Sequence, residues 1–157
     1  MKPLTLSAHN ICAVAVEHFA AHGYDASSLN EIAVGAGMRK ASLYAHFVSK
    51  DALFQTVFEI ALAHEHQYIA QCFKEEVAHT RVPGQLHLER LSGRYEGSAH
   101  LRFLLRMAFF PPAELRPIIS AGFEGYLTRL GEVFEQALRG CLPQLSAELH
   151  GLYVDAY

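Results

Sequence analysis

Arg39, Lys40 and Lys50 fall within the stretch "GAGMRKASLYAHFVSKDALF", Gly35 to Phe54, with Tyr44 and His46 among them and no acid before Asp51. These side-chain types suit the surface of a nucleic acid. Arginine reads a guanine edge through two parallel hydrogen bonds, lysine neutralises phosphate or contacts guanine, and the polar tips of tyrosine and histidine bond phosphate oxygens. Ala41 is small enough to let the backbone approach DNA. Lys50 falls in the first turn of a helix that Ser49 can cap, where unpaired N–H groups and the positive dipole end favour a phosphate. The cluster is local, because the whole chain has a formal net charge of -3. Residues 1–50 hold four Lys/Arg against three Asp/Glu, and residues 51–157 hold nine against thirteen, so the acidity belongs to the second part.

A basic cluster reads DNA only if a scaffold presents it, and the surrounding pattern is helical. From Ser7 to His22 the apolar positions Ile11, Ala15 and Phe19 recur one helical turn apart, with Ala8 and Cys12 beside them and Asn10, Glu17 and His18 on the wet face. Gly23 ends that helix. In "SSLNEIA", Ser28 stands three residues before Glu31, the spacing of a capping box, so a second, short helix runs from Leu29 to about Val34 with Leu29, Ile32 and Ala33 inward. Gly35 and Gly37 permit a tight turn. A third short helix, Arg39 to Ala45, has Leu43 and Phe47 as its buried edge, and helical periodicity then turns Arg39, Lys40, Tyr44 and His46 outward. Two short helices across a glycine turn, after a helix with a buried face, form a helix-turn-helix plan.

Beyond Ser49 the pattern predicts a long fourth helix over 50–79, with Leu53, Phe54, Val57, Phe58, Ala61, Leu62, Ile69, Phe73 and Val77 as its apolar stripe. Between Arg81 and Ser98, Pro83, Gly84, Gly93 and Gly97 predict a short helix and loops. "AHLRFLLRMAFF" is helical and stopped by Pro111 and Pro112, and a further helix spans Ile118 to Arg139. No run alternates as a strand does. The reading is all-α: a helix-turn-helix domain over 1–49 and a helical effector-binding and dimerisation domain over 50–157, with helix 50–79 joining the two.

Several function classes lack their residues. The apolar run "ICAVAV" is too short for a signal core, Glu17 and His18 close it, and no window approaches the roughly 20 apolar residues of a bilayer span. The expectation is a cytoplasmic chain that does not enter a membrane. Cys12, Cys72 and Cys141 are far apart and free of CxxC spacing, so they read as core residues. His18 with His22, and His64 near His66, find no third ligand at a metal-binding spacing, and HExxH is absent. "GAG" at Gly35 to Gly37 lacks the Lys-Ser/Thr of a P-loop, and no nucleophile stands beside a base. The chain is expected to be no enzyme and to need no metal or cofactor.

The segment "FAAHGYDASSLNEIAVGAGMRKASLYAHFVSKDALF" closely resembles the DNA-binding segment of the TetR family of bacterial transcriptional regulators, through Phe19, Gly23-Tyr24, Ile32-Ala33, Gly37, Leu43-Tyr44, His46-Phe47, Ser49-Lys50 and Leu53-Phe54. The resemblance implies an all-α homodimer whose N-terminal domain binds double-stranded operator DNA and whose larger C-terminal domain binds a small inducer. It places DNA contacts at Leu29, Met38, Arg39, Lys40, Ala41, Tyr44, Ala45, His46 and Lys50. Ala45 stands where the family often has a second aromatic, which removes one phosphate contact. Such regulators usually end in two helices that pair across a dimer axis, and "LPQLSAELHGLYVDAY" after Gly140 is long enough only for the start of one.

For the inducer, Phe58, Phe103, Met107, Phe110, Phe123 and Tyr126 are expected to line a cavity with few polar handles, suited to a hydrophobic or amphipathic molecule. The mechanism the resemblance implies is a repressor on a palindromic operator, released when the inducer changes the separation of the two third helices. The alternative is a regulator of the same shape that has lost its ligand response or acts through a protein partner.

Overall fold

The computed structural model describes residues 4–79 and 83–141. Among these residues there is no strand, and the order is α1 (Leu6–His22), α2 (Leu29–Gly35), α3 (Lys40–Tyr44), α4 (Lys50–Ala78), α5 (Gln85–Gly97), α6 (Ala99–Phe109), a 3-10 turn (Ala113–Leu115) and α7 (Arg116–Cys141). Four of the helix starts are fixed by hydroxyl caps. Thr5, Ser28, Ser49 and Ser98 accept the backbone N–H of Ala8, Glu31, Ala52 and Leu101 at 3.2, 3.2, 3.1 and 3.2 Å, each satisfying a donor the helix leaves unpaired. Glu31 turns back onto Ser28 and accepts its hydroxyl at 2.7 Å, so the two residues of the capping-box spacing do meet at the start of α2.

Two elements differ from the sequence expectation. The region expected to be a short helix and loops holds an uninterrupted helix, α5, which runs through Gly93. Tertiary contacts from α4 outweigh the glycine's poor helix propensity. Glu76, fully buried, accepts the N–H of Gly84 at 2.8 Å and that of Leu86, placing a carboxylate on the positive end of α5 where no side chain of its own caps it. Glu65, also buried, takes the Arg94 guanidinium in two parallel bonds, one of them 2.8 Å long. The other difference is α7, which begins before Ile118 because Pro117 is tolerated in a first turn, where its missing N–H has no partner to lose.

The core is continuous from α1 to α7. At its centre are rings from three helices, Phe19 of α1, Phe54 and Phe58 of α4 and Phe103 of α6, and the half-buried Phe123 of α7 packs against them. Centroid separations are 5.7 Å for Phe19–Phe54, 5.5 Å for Phe54–Phe103, 6.3 Å for Phe58–Phe103 and 5.4 Å for Phe58–Phe123, within the range where aromatic pairs attract. Gly122 makes the approach of α7 possible, since a Cβ there would lie 2.4 Å from the Phe58 ring. Cys12 and Cys72 are buried core residues, and burial pushes the Cys12 thiol up to about 11. Cys141 is only half-buried.

Candidate nucleic-acid interface

The turn between α2 and α3 sets the site. Gly37 has a φ of +69°, Met38 donates its N–H to Ala33 at 2.9 Å, and Gly37 donates to Val34 at 3.0 Å. This pair of bonds is a Schellman cap with glycine in the left-handed position. Gly35 serves packing instead, since a Cβ there would meet Val14 at 2.8 Å and its absence lets α2 lie close on α1. The Asn10 amide of α1 donates to the Ala36 carbonyl at 3.0 Å and holds the turn from behind. Sequence reasoning put Asn10 on the wet face and missed this bond, since the partner is a backbone atom with no signature of its own.

α3 then emerges with one side anchored. Leu43 is 0% exposed and Phe47 5%, while Arg39, Lys40, Ala41, Ser42, Tyr44, Ala45 and His46 are all exposed. The Lys40 ammonium lies 5.9 Å from the Tyr44 ring centre, a weak cation–π contact one turn apart. Arg39, at the start of α3, has extended backbone and no side-chain cap bond, is exposed, and forms no ion pair among the described residues.

The other residues expected at DNA are placed differently. Leu29 is buried at the start of α2 and Met38 is half-buried against the core, so both support the turn through packing. Lys50 is tied inward. Its ammonium donates to the carbonyls of Tyr24 at 2.8 Å and Ser27 at 3.1 Å and sits 4.0 Å from the Tyr24 ring centre. Two of its three donors are therefore engaged in closing the α1–α2 loop onto α4, a role absent from the sequence reading. Tyr24 completes the clasp by donating its hydroxyl to Asp51, and burial together with that bond holds the phenol well above its ordinary range. The neighbouring Ser27 is buried, donates to Gly23 O at 2.6 Å and meets His18 Nδ1 at 2.9 Å. Two adjacent serines after a glycine-tyrosine were the available signal, and only Ser28 was read from it.

This part of the chain also has a counterpart among known proteins. Residues 11–57 match the model of the bacterial regulatory proteins of the tetR family. Over those residues the chain is of the tetR type. Solved structures of similar shape include a putative TetR-family transcriptional regulator from Mesorhizobium loti, with a TM-score of 0.73 and 19% identity, covering 97% of this chain and 78% of that one. The fatty acid degradation regulator FadR from Bacillus halodurans gives 0.65 and 19%, over 99% and 82% of the two chains. FadR from Bacillus subtilis in complex with stearoyl-CoA gives 0.61 and 20%, over 94% and 81%. At these identities the likeness concerns the fold. No curated relative matches the chain.

None of the six side chains expected around an inducer lines either of the two hollows described below. Phe58, Phe103 and Met107 are among the most deeply buried residues, and Phe58, Phe103 and Phe123 fill the space between helices with ring contacts. Tyr126 is buried in α7, and Phe110 lies on the surface at 77% exposure, since α6 ends at Phe109 and the chain turns outward before Pro111. Hollows lie elsewhere. One, of about 910 Å³, runs between α1 and α5 over His64 and Tyr68. Another, of about 520 Å³, lies between the C-terminal parts of α4 and α7, beside Phe73, Val77 and Val133. Among the described residues no helix is long and apolar enough to cross a membrane, and no group of three or more His, Cys, Asp and Glu could hold a metal.

Proposed function

We propose that the chain is a ligand-responsive repressor that binds a palindromic operator as a homodimer. The observation that carries this reading is the one-sided anchoring of α3: Leu43 and Phe47 hold it to the core, while Arg39, Lys40, Ala41, Tyr44 and His46 face outward. A helix so presented fits a major groove, and two copies would meet half-sites about 34–36 Å apart or a longer multiple of the turn. Arg39 and Lys40 are assigned to base edges and phosphates, and Tyr44, Ala45 and His46 to the phosphate flank. Lys50 adds positive potential at the start of α4 and reaches a phosphate with the donor its two carbonyl bonds leave. Leu29 and Met38 act by setting the angle at which α3 leaves the turn.

Release is assigned to a small hydrophobic or amphipathic molecule bound in the helical part that follows α4's start. The ligand-bound neighbour, FadR with stearoyl-CoA, supports the choice of class without fixing the compound. A cytoplasmic location accords with a role on DNA. The test is selection of bound sequences from random DNA with the parent and with Arg39→Ala. The parent should enrich an inverted repeat, and Arg39→Ala should lose preference at defined positions, at about 1–3 kcal/mol for each lost bidentate contact. Enrichment of no sequence by the parent overturns the reading.

A further inference from the structure

The groove between α1 and α5 has walls of unlike chemistry. On the α5 side are Gly93 and Gly97, one turn apart, and a Cβ at either would meet nothing within 4 Å. Their missing side chains are what keep the groove open. Along its floor and end lie flat π surfaces: the His64 and His100 rings stack with centroids 4.5 Å apart and planes 13° apart, and the Arg94 guanidinium lies 3.5 Å over the Tyr68 ring. The opposite wall is α1 itself, through Ala13, Val16 and Glu17.

Most charged groups here already have a charged partner, and Glu89, which also lines the groove, accepts the Gln85 amide at 2.8 Å. Arg94 is held by Glu65, Arg90 by Glu75 at 3.1 Å, and Glu17 by Arg102 at 3.1 Å. What remains uncommitted has donor character. Neither His64 nor His100 makes a hydrogen bond among the described residues. The first turn of α6 opens on the same space with no acidic residue in it, and its Ser98 cap takes only the N–H of Leu101. A slot with flat walls and donors gathered at one end accepts a thin ring with an anion at its edge.

We propose that this groove binds a flat aromatic carboxylate, with its ring against the glycine face of α5 and its carboxylate at His100 and the start of α6. The proposal rests on the ligand-responsive reading above and gives it a site and a ligand class. It also gives a route to DNA. Arg102 donates to the carbonyls of Tyr95 at 3.2 Å and Glu96 at 2.7 Å, at the end of α5, and to Glu17 of α1. An occupant that parts α1 from α5 strains this bridge, and α1 carries the turn and α3 with it.

The test uses the full chain, with 1-naphthoate and its uncharged analogue 1-naphthamide as probes and stearoyl-CoA as the contrast. Calorimetric titration should show naphthoate bound at least about tenfold more tightly than the amide. Gly93→Leu and Gly97→Leu, each filling open space, should each weaken naphthoate by about tenfold or more while melting and operator affinity stay as in the parent. Naphthoate should release the operator recovered by selection. Absence of naphthoate binding, or binding that neither leucine variant weakens, overturns the groove as its site. Binding without release overturns the route through α1. Release by stearoyl-CoA that is unaffected by both variants, with no response to naphthoate, sinks this proposal and leaves the ligand-responsive reading standing; release by no compound at all sinks both.

Discussion

α3 and α5 are both held to the body by side chains of neighbouring elements, and they are held by opposite means. α3 is fastened by apolar groups, Leu43 and Phe47, so its polar side chains stay in water. α5 is fastened by charge, through two buried carboxylates of α4 that take Arg94 and the amides at its start. An apolar anchor leaves the polar face of a short helix available to another molecule. An ionic anchor uses polar groups internally, and what it leaves open is the space beside the helix.

The largest expected effect strikes the apolar anchor. Phe47→Ala should cost about 3–5 kcal/mol, read as a fall in the urea midpoint, because the lost ring leaves a cavity under α3. An unchanged midpoint would show that α3 is held by something else. Next comes the ionic anchor: Glu65→Ala should cost about 3 kcal/mol by stranding Arg94 in a buried position, with loss of α5 helicity seen by circular dichroism. Replacing both partners with leucine should return most of that loss, and a double variant as unstable as the single one would mean that the pair contributes more than mutual compensation.

Gly37→Ala should cost about 1–2 kcal/mol, entirely through the positive φ, since there is room for the methyl group. A larger loss would point to contacts hidden in the turn. The smallest effect is one of pH. Burial, aided at His100 by the neighbouring His64, holds the His87 and His100 imidazoles below the ordinary 6.5, although Glu65 opposes the shift at both. Their folded pKa values are depressed, so the unfolded chain takes up protons first on acidification. Their contribution to stability is present above about pH 6.5 and declines as pH falls through the folded values. A scanning calorimetry series from about pH 8 to 5 should show melting temperature drifting down, and a rise would mean that charged imidazoles are welcome beside α5.

The N-terminal part was legible because its determinants are local. Ser28 with Glu31, Gly37 and the Leu43–Phe47 spacing act within a few residues of one another, so sequence distance and spatial distance agree. Lys50 was half read: its place at a helix start was right in the sequence, but the carbonyls it binds belong to residues twenty-three and twenty-six positions back. In the second part the determinants act at longer range. Glu65 and Glu76 lie on the same stripe of α4 as Leu62, Ile69 and Phe73, and two acids on an apolar face were a sign of buried partners that a reading by hydrophobic period passed over. The residues expected around an inducer show a related limit of periodicity. Periodicity says that Phe58, Phe103 and Phe123 face inward, but it does not distinguish rings that border a space from rings that fill it.

The chain of rings from Phe19 to Phe123 bears on how such proteins can be recombined. A cut after Ser49, where the sequence suggests a natural joint, would leave Phe19 and Tyr24 facing water in place of Phe54, which lies 5.7 and 5.3 Å from them. A DNA-reading head moved onto another body would therefore have to carry α4 as far as Phe58 and find, on its new host, a ring to stand where Phe103 stands. For this chain, a new body must agree with the head on those aromatic positions, so the edge-to-face rings act as a compatibility code between the helix-turn-helix part and the part beneath it.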